Sequence, residues 1–141
     1  LELSEALPFI EANHFALVST VGASGRAQTT VVSAGLVDGQ VSFVSRADTV
    51  KVRNVRRSGH CSVTLINPDN RRYVTVQGAA SVHSWDNTDE ATLLDLLRSA
   101  YGAAGRQPES WADFDASMRE EQRTVVLVTP ERVYGSLRVR G

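Results

Sequence analysis

Lysine is nearly missing from this chain: Lys51 stands alone against fourteen arginines. That bias points to a GC-rich source and by itself says nothing about function. Cysteine is as scarce, and Cys61 has no partner for an internal disulfide, which fits a reducing compartment. Aromatic residues make up only 6% of the chain and valine outweighs leucine, so β-branched strands rather than helical packing should carry the core. No apolar run approaches the ~18 residues that cross a bilayer. No charged-then-apolar leader with a cleavage site opens the sequence. A soluble, cytoplasmic protein with no membrane partner is expected. The net charge of −1 argues against a globally basic, nucleic-acid-coating surface. At 141 residues, the chain is read as one domain, 1–141, with one sizeable core.

Positive charge is present, but it is local. Ser45 to Arg57 reads Ser-Arg-Ala-Asp-Thr-Val-Lys-Val-Arg-Asn-Val-Arg-Arg and carries Arg46, Lys51, Arg53, Arg56 and Arg57 against Asp48 alone. Asp48 or Thr49 can cap a helix starting there, whose free backbone N–H groups and positive dipole end face whatever sits before it. That makes a seat for an anion. Lys51 falls in the first turn, where its ammonium adds a point charge to the same seat. A solvated basic helix edge is the competing reading of these residues.

Taken in order, the chain alternates strand and turn signals. Ser4 opens a short helix over residues 4–13, with Leu7, Phe9 and Ile10 apolar and Pro8 in the first turn. Residues 15–21 and 27–37 read as strands around Gly22-Ala23-Ser24-Gly25, and Asp38-Gly39 hands over to a third strand, 40–45. Ser58-Gly59 ends the basic helix, strand 60–66 follows, and after the Asn67-Pro68-Asp69-Asn70 turn comes strand 72–82, with Gly78 as a bulge. Asp86 or Thr88 caps a helix over about 88–101, whose Ala91, Leu94 and Leu97 share an apolar side. A further helix with Trp111 and Phe114 runs to about Gln122. Residues 124–128 form a sixth strand, Thr129-Pro130 interrupts it, and 133–139 can finish the sheet. The pattern is a mainly β fold: an antiparallel barrel with short helices between strands.

Several catalytic constellations are missing. His60 and Cys61 are neighbours on a strand and point to opposite faces, and His14 and His83 lie far off in sequence, so no metal site is expected. Cys61 reads as a packed small hydrophobe. Neither Ser24 nor Ser33 sits in a Gly-x-Ser-x-Gly elbow, and Asp86, Asp89 and Glu90 read as helix-start charges rather than an acid/base pair. Dinucleotide and Walker glycine patterns are absent. A nucleic-acid-binding barrel would need paired stacking platforms, and only Phe43 and Tyr73 flank the basic stretch.

The order of Phe43-Val44-Ser45, Thr49-Val50-Lys51-Val52-Arg53-Asn54-Val55-Arg56-Arg57, Cys61-Ser62-Val63-Thr64-Leu65 and Arg72-Tyr73-Val74-Thr75-Val76-Gln77-Gly78 resembles the pyridoxamine 5'-phosphate oxidase-like split barrels. More narrowly it resembles their actinobacterial flavin/deazaflavin oxidoreductase branch, from Ala16-Leu17-Val18 to Glu131-Arg132-Val133. The resemblance implies a homodimer of six-stranded Greek-key split barrels with a cofactor groove at the subunit boundary. By position, Lys51 matches the family's phosphate-binding lysine and Thr49 the small hydroxyl residue that helps it. Thr30, Val31 and Val32 match the strand along the tricyclic ring, and Ser45 the end of the strand beside the ribityl chain. Val50 stands where the vitamin B6 oxidases have arginine, which leaves a second phosphate contact to Arg46 or Arg53. The sequence closes on Arg138-Val139-Arg140-Gly141, without the arginine-and-histidine segment with which those oxidases hold pyridoxal phosphate. Coenzyme F420 is therefore the expected cofactor and FMN the alternative. The expected activity is hydride transfer from the reduced deazaflavin to an unsaturated small molecule, with no obligatory catalytic side chain. A non-catalytic FMN- or haem-related binding protein is the rival of a different class. Thr124 to Val128 is the strand expected to face the dimer partner.

Overall fold

The computed structural model describes residues 1–138. Helix α1, Leu3–Ala12, starts one residue earlier than expected and is capped at Glu2, whose N–H donates to the Glu5 carboxylate at 3.2 Å. Pro8 consequently falls in the second turn, where its missing N–H costs a helical bond. The helix survives because Ala6 and Ile10, fully buried, close one end of the barrel.

Strands β1 (Phe15–Val21), β2 (Ala27–Val37) and β3 (Gln40–Arg46) form the expected meander. Asp38 and Gly39 both take positive φ, 50° and 77°, as the tight hairpin turn requires. Helix α2, Val50–Ser58, then carries the chain back so that β4 (His60–Asn67) lies beside β1. Strand β5 (Arg72–His83) pairs with β4, and β6 (Arg123–Val128) joins β5 to β3, which closes a six-stranded antiparallel barrel. Between β5 and β6 come α3 (Glu90–Ala103) and α4 (Trp111–Glu120). The α3 cap is Asp89, which accepts from the Thr92 N–H, rather than Asp86 or Thr88.

A short β7, Arg132–Ser136, continues along the same edge of β5 that β6 uses. It corresponds to the expected last segment, whose end at Val139 lies outside the described residues. The Thr129–Glu131 backbone crosses from β6 to β7 directly beside Gly78, where a Cβ would lie 1.7 Å from the Thr129 carbonyl oxygen. Gly78 is thus demanded by close approach of another strand.

Two apolar clusters hold the fold. Inside the barrel, Val18, Phe43, Leu65, Val76 and Val126 pack with Ile10 of α1 and Val55 of α2. Outside it, Leu93, Leu97 and Ala100 of α3 and Phe114 of α4 pack on Val125 and Leu127. Strand β6 is therefore buried on both faces, which explains its unbroken apolar run. This corrects the expectation that Thr124 to Val128 faces a dimer partner. The large apolar side chains left exposed on the barrel are Phe15, Val21 and Val31 of the β1–β2 hairpin, together with Tyr134 of β7.

Candidate functional site

The start of α2 is an unusual helix end. Thr49 occupies the N-cap position, but its hydroxyl points backward, donating to the Arg46 carbonyl at 3.0 Å and lying 3.1 Å from the Ser45 hydroxyl. Among the described residues no side chain caps the first turn. The N–H groups that every helix leaves unpaired at its start therefore stay available. Ser45 is itself locked in place, since its carbonyl accepts from the buried Thr124 hydroxyl at 3.2 Å.

This helix end opens into a cleft of about 390 Å³. Its apolar floor is Val31 and Val32 of β2 and Val44 of β3, and the end of α3 supplies a wall of Ala100, Tyr101 and Ala104. Glycine 35 permits that wall: a Cβ there would lie 2.1 Å from the Ala103 carbonyl oxygen. Met118 and Glu121, from the end of α4, complete the rim. Among the described residues four cations reach the cleft, Arg46, Lys51, Arg106 and Arg123, against the single carboxylate of Glu121.

The four cations are held differently. Lys51 is half-buried and, among the described residues, meets no carboxylate. Burial, and secondarily repulsion from the Arg123 guanidinium, hold its pKa below the ordinary lysine value. Arg106 donates to the Ser33 hydroxyl at 3.1 Å and lies 6.0 Å from the Tyr101 ring. Arg46 and Arg123 both contact Glu121, at 3.4 and 3.3 Å. The site is a positively charged cleft with an apolar floor and, among the described residues, one lysine without a counter-ion, features that suit an anionic group carried on an apolar body.

The chain is similar to known proteins over almost its whole length. The family model for pyridoxamine 5'-phosphate oxidase matches residues 3–136. The chain belongs to the pyridoxamine 5'-phosphate oxidase family. Among solved structures, the chain is similar to a conserved hypothetical protein of Mycobacterium tuberculosis, with 19% identity, a TM-score of 0.73, and coverage of 96% of this chain and 84% of that one. An F420 reductase matches with 19% identity and a TM-score of 0.66 over 92% and 94% of the two chains. A haem-binding protein of Mycobacterium smegmatis matches with 16% identity and a TM-score of 0.67, over 96% of this chain and 54% of its own. At such identities these relatives share the fold. No curated protein matches the sequence.

Within this oxidase-family barrel, Val31, Val32, Ser45, Arg46, Thr49 and Lys51, all singled out from the sequence, come together on the cleft. Two others do not line it. Thr30 has its hydroxyl buried and without a partner among the described residues, and Arg53 is exposed roughly 200° around α2 from Lys51. Sequence reasoning missed Arg106, Arg123, Tyr101, Met118 and Glu121. Arg123 carried a usable signal, since it directly precedes the sixth predicted strand, but pairing that strand with β3 requires the tertiary fold. Among the described residues no cluster of His, Cys, Asp and Glu could hold a metal ion. The Cys61 thiol is buried and pushed up to about 12 by desolvation, so it is no nucleophile at neutral pH.

Proposed function

We propose that the cleft binds a phosphate-bearing redox cofactor of the flavin type, coenzyme F420 ahead of FMN. On this reading the protein is an oxidoreductase that passes a hydride to an unsaturated small molecule. The observation that carries it is Lys51: a half-buried ammonium that meets no carboxylate among the described residues, at a helix start without a side-chain cap, pressed by a neighbouring guanidinium. A phosphate would relieve both desolvation and repulsion. The shared fold with an F420 reductase supports the redox class, and the size of the cleft suits a cofactor-sized ligand.

The chain's own residues then have distinct tasks. Lys51 and the first-turn N–H groups of α2 hold the phosphate. Val31 and Val32 offer an apolar strand beneath the ring, while Tyr101, Ala104 and Met118 keep water from its far side. Arg46 and Arg123 extend the positive surface beyond a single phosphate, which favours a cofactor with a longer anionic tail. When bound, the cofactor supplies the hydride chemistry, and the protein's part is orientation and shielding.

Phe15, Val21 and Val31, exposed on the β1–β2 hairpin, give the surface through which two copies would form the homodimer. Val31 belongs to both that surface and the cleft floor, so a partner subunit would border the cofactor. No helix among the described residues is long and apolar enough to cross a membrane, and the lone buried thiol suits our cytoplasmic assignment.

The test is a pair of absorbance and fluorescence titrations, with coenzyme F420 and with FMN, followed by oxidation of the bound reduced cofactor by an added unsaturated acceptor. Tighter F420 binding with turnover is expected. FMN binding at least about tenfold tighter would reverse the cofactor order and favour the flavin alternative.

A further inference from the structure

The cations of the cleft divide into two sets. Lys51 and Arg106 meet no carboxylate among the described residues, whereas Arg46 and Arg123 share Glu121. These two arginines are register partners across the β3–β6 ladder. Like charges directly opposite one another destabilise a sheet, and the carboxylate within reach of both offsets that cost. The two contacts, 3.4 and 3.3 Å, are long for charge-assisted bonds, and the Arg46 side chain is 55% exposed. Such pairs are weak and displaceable. The backbone beneath Glu121 is not. Its N–H donates to the Ser117 carbonyl at 2.9 Å, and the adjoining Gln122, at φ 51°, accepts from the Ala47 N–H at 3.0 Å. A displaced Glu121 side chain stays tethered beside the arginines.

We infer that Glu121 sets the anion selectivity of the cleft by acting as an internal counter-ion for Arg46 and Arg123. A ligand with one phosphate seats at Lys51 and leaves this trio intact. A ligand with a second anionic group must evict the Glu121 carboxylate to reach the two arginines. The inference rests on the cofactor reading above and deepens it, because it concerns how many anionic groups the ligand carries. Glu121 weakens the binding of multiply anionic ligands and is neutral toward singly phosphorylated ones.

Orthophosphate and tripolyphosphate test this without any ring, and FMN and coenzyme F420 repeat the contrast on whole cofactors. In Glu121→Gln, which keeps the side chain's shape, tripolyphosphate and F420 are expected to bind roughly three- to tenfold tighter, as two exposed ion pairs would permit. Orthophosphate and FMN should change by less than about twofold. Glu120→Gln removes the same charge from an exposed position outside the cleft, and any effect it has should fade as salt is added. In an Arg46→Gln background the gain from Glu121→Gln should shrink, which ties the effect to the pair. Weaker tripolyphosphate binding by Glu121→Gln, or an equal change for all four ligands, overturns the inference. So does failure of tripolyphosphate to bind either form. If F420 does not bind while tripolyphosphate shows the contrast, the cofactor reading falls and the role of Glu121 stands.

Discussion

Both ends of α2 carry cations, and only one end satisfies them. At the C-terminal end Arg56 pairs with Asp86 at 2.9 Å, Arg57 donates to the Val21 carbonyl, and the Gly59 N–H closes on the Val55 carbonyl at 2.7 Å. There the helix dipole favours positive charge. At the N-terminal end the dipole opposes Lys51, Arg123 repels it, and burial strips part of its water. One end of the helix is finished by its own protein, while the other, on the proposed reading, is completed by an anion. That reading assigns stability and affinity to different turns of a nine-residue element.

The strongest way to break this contrast is Lys51→Ala. Losing one partner of a charge-assisted bond costs about 1.5 to 3 kcal/mol, so cofactor affinity should fall roughly ten- to a hundredfold while the melting temperature stays level or rises. Unchanged affinity would reduce Lys51 to a solvated helix edge. Next in size is Gly59→Ala at the opposite end. Gly59 has φ 67°, and a side chain in that left-handed region costs about 1 to 2 kcal/mol of stability. Denaturant unfolding should show that loss, and titration should show cofactor affinity preserved. Arg56→Ala removes an exposed ion pair worth at most about 1 kcal/mol. Its affinity loss should be small and vanish in high salt, and a loss equal to that of Lys51→Ala would leave only a diffuse basic patch.

The smallest expected effect is with pH. Because the folded-state pKa of Lys51 is lowered, the unfolded chain binds more protons between that lowered value and the ordinary 10.5. This group's contribution therefore makes the ligand-free protein gain stability as pH rises through that window. Binding has the opposite slope, since a phosphate needs the charged ammonium. Affinity should decline as pH climbs through the lowered value, and Lys51→Ala should remove that component. Paired titrations of both forms across the window would expose a slope that persists without the lysine.

What could be read from the sequence was what is local in the sequence. Asp38-Gly39 announces its hairpin, alternation marks the strands, and Thr49 with Lys51 marks the cap and first turn of α2, because turn, cap and first-turn residue are neighbours in the chain. The Ser4 cap was misplaced because Glu2 and Glu5 supplied the start of α1 instead. The dimer face was misplaced because an unbroken apolar strand, β6, looks the same in sequence whether its second face meets another subunit or its own helices. Much of the cleft's opposite side was illegible. Glu121 reaches Arg46 across 75 residues of chain, and Arg106 reaches Ser33 across 73, so no spacing rule joins them.

The helical segment between β5 and β6 is, topologically, one long hairpin loop: His83 and Val125 at its base are already register partners. The barrel's hydrogen-bond ladder closes without it, yet that loop delivers Tyr101, Arg106, Met118 and Glu121 to the cleft. The start of α2 and the wall that faces it can therefore diverge independently. A barrel of this kind can exchange its helical wall for another of different length and chemistry, provided that the replacement still covers Val125 and Leu127.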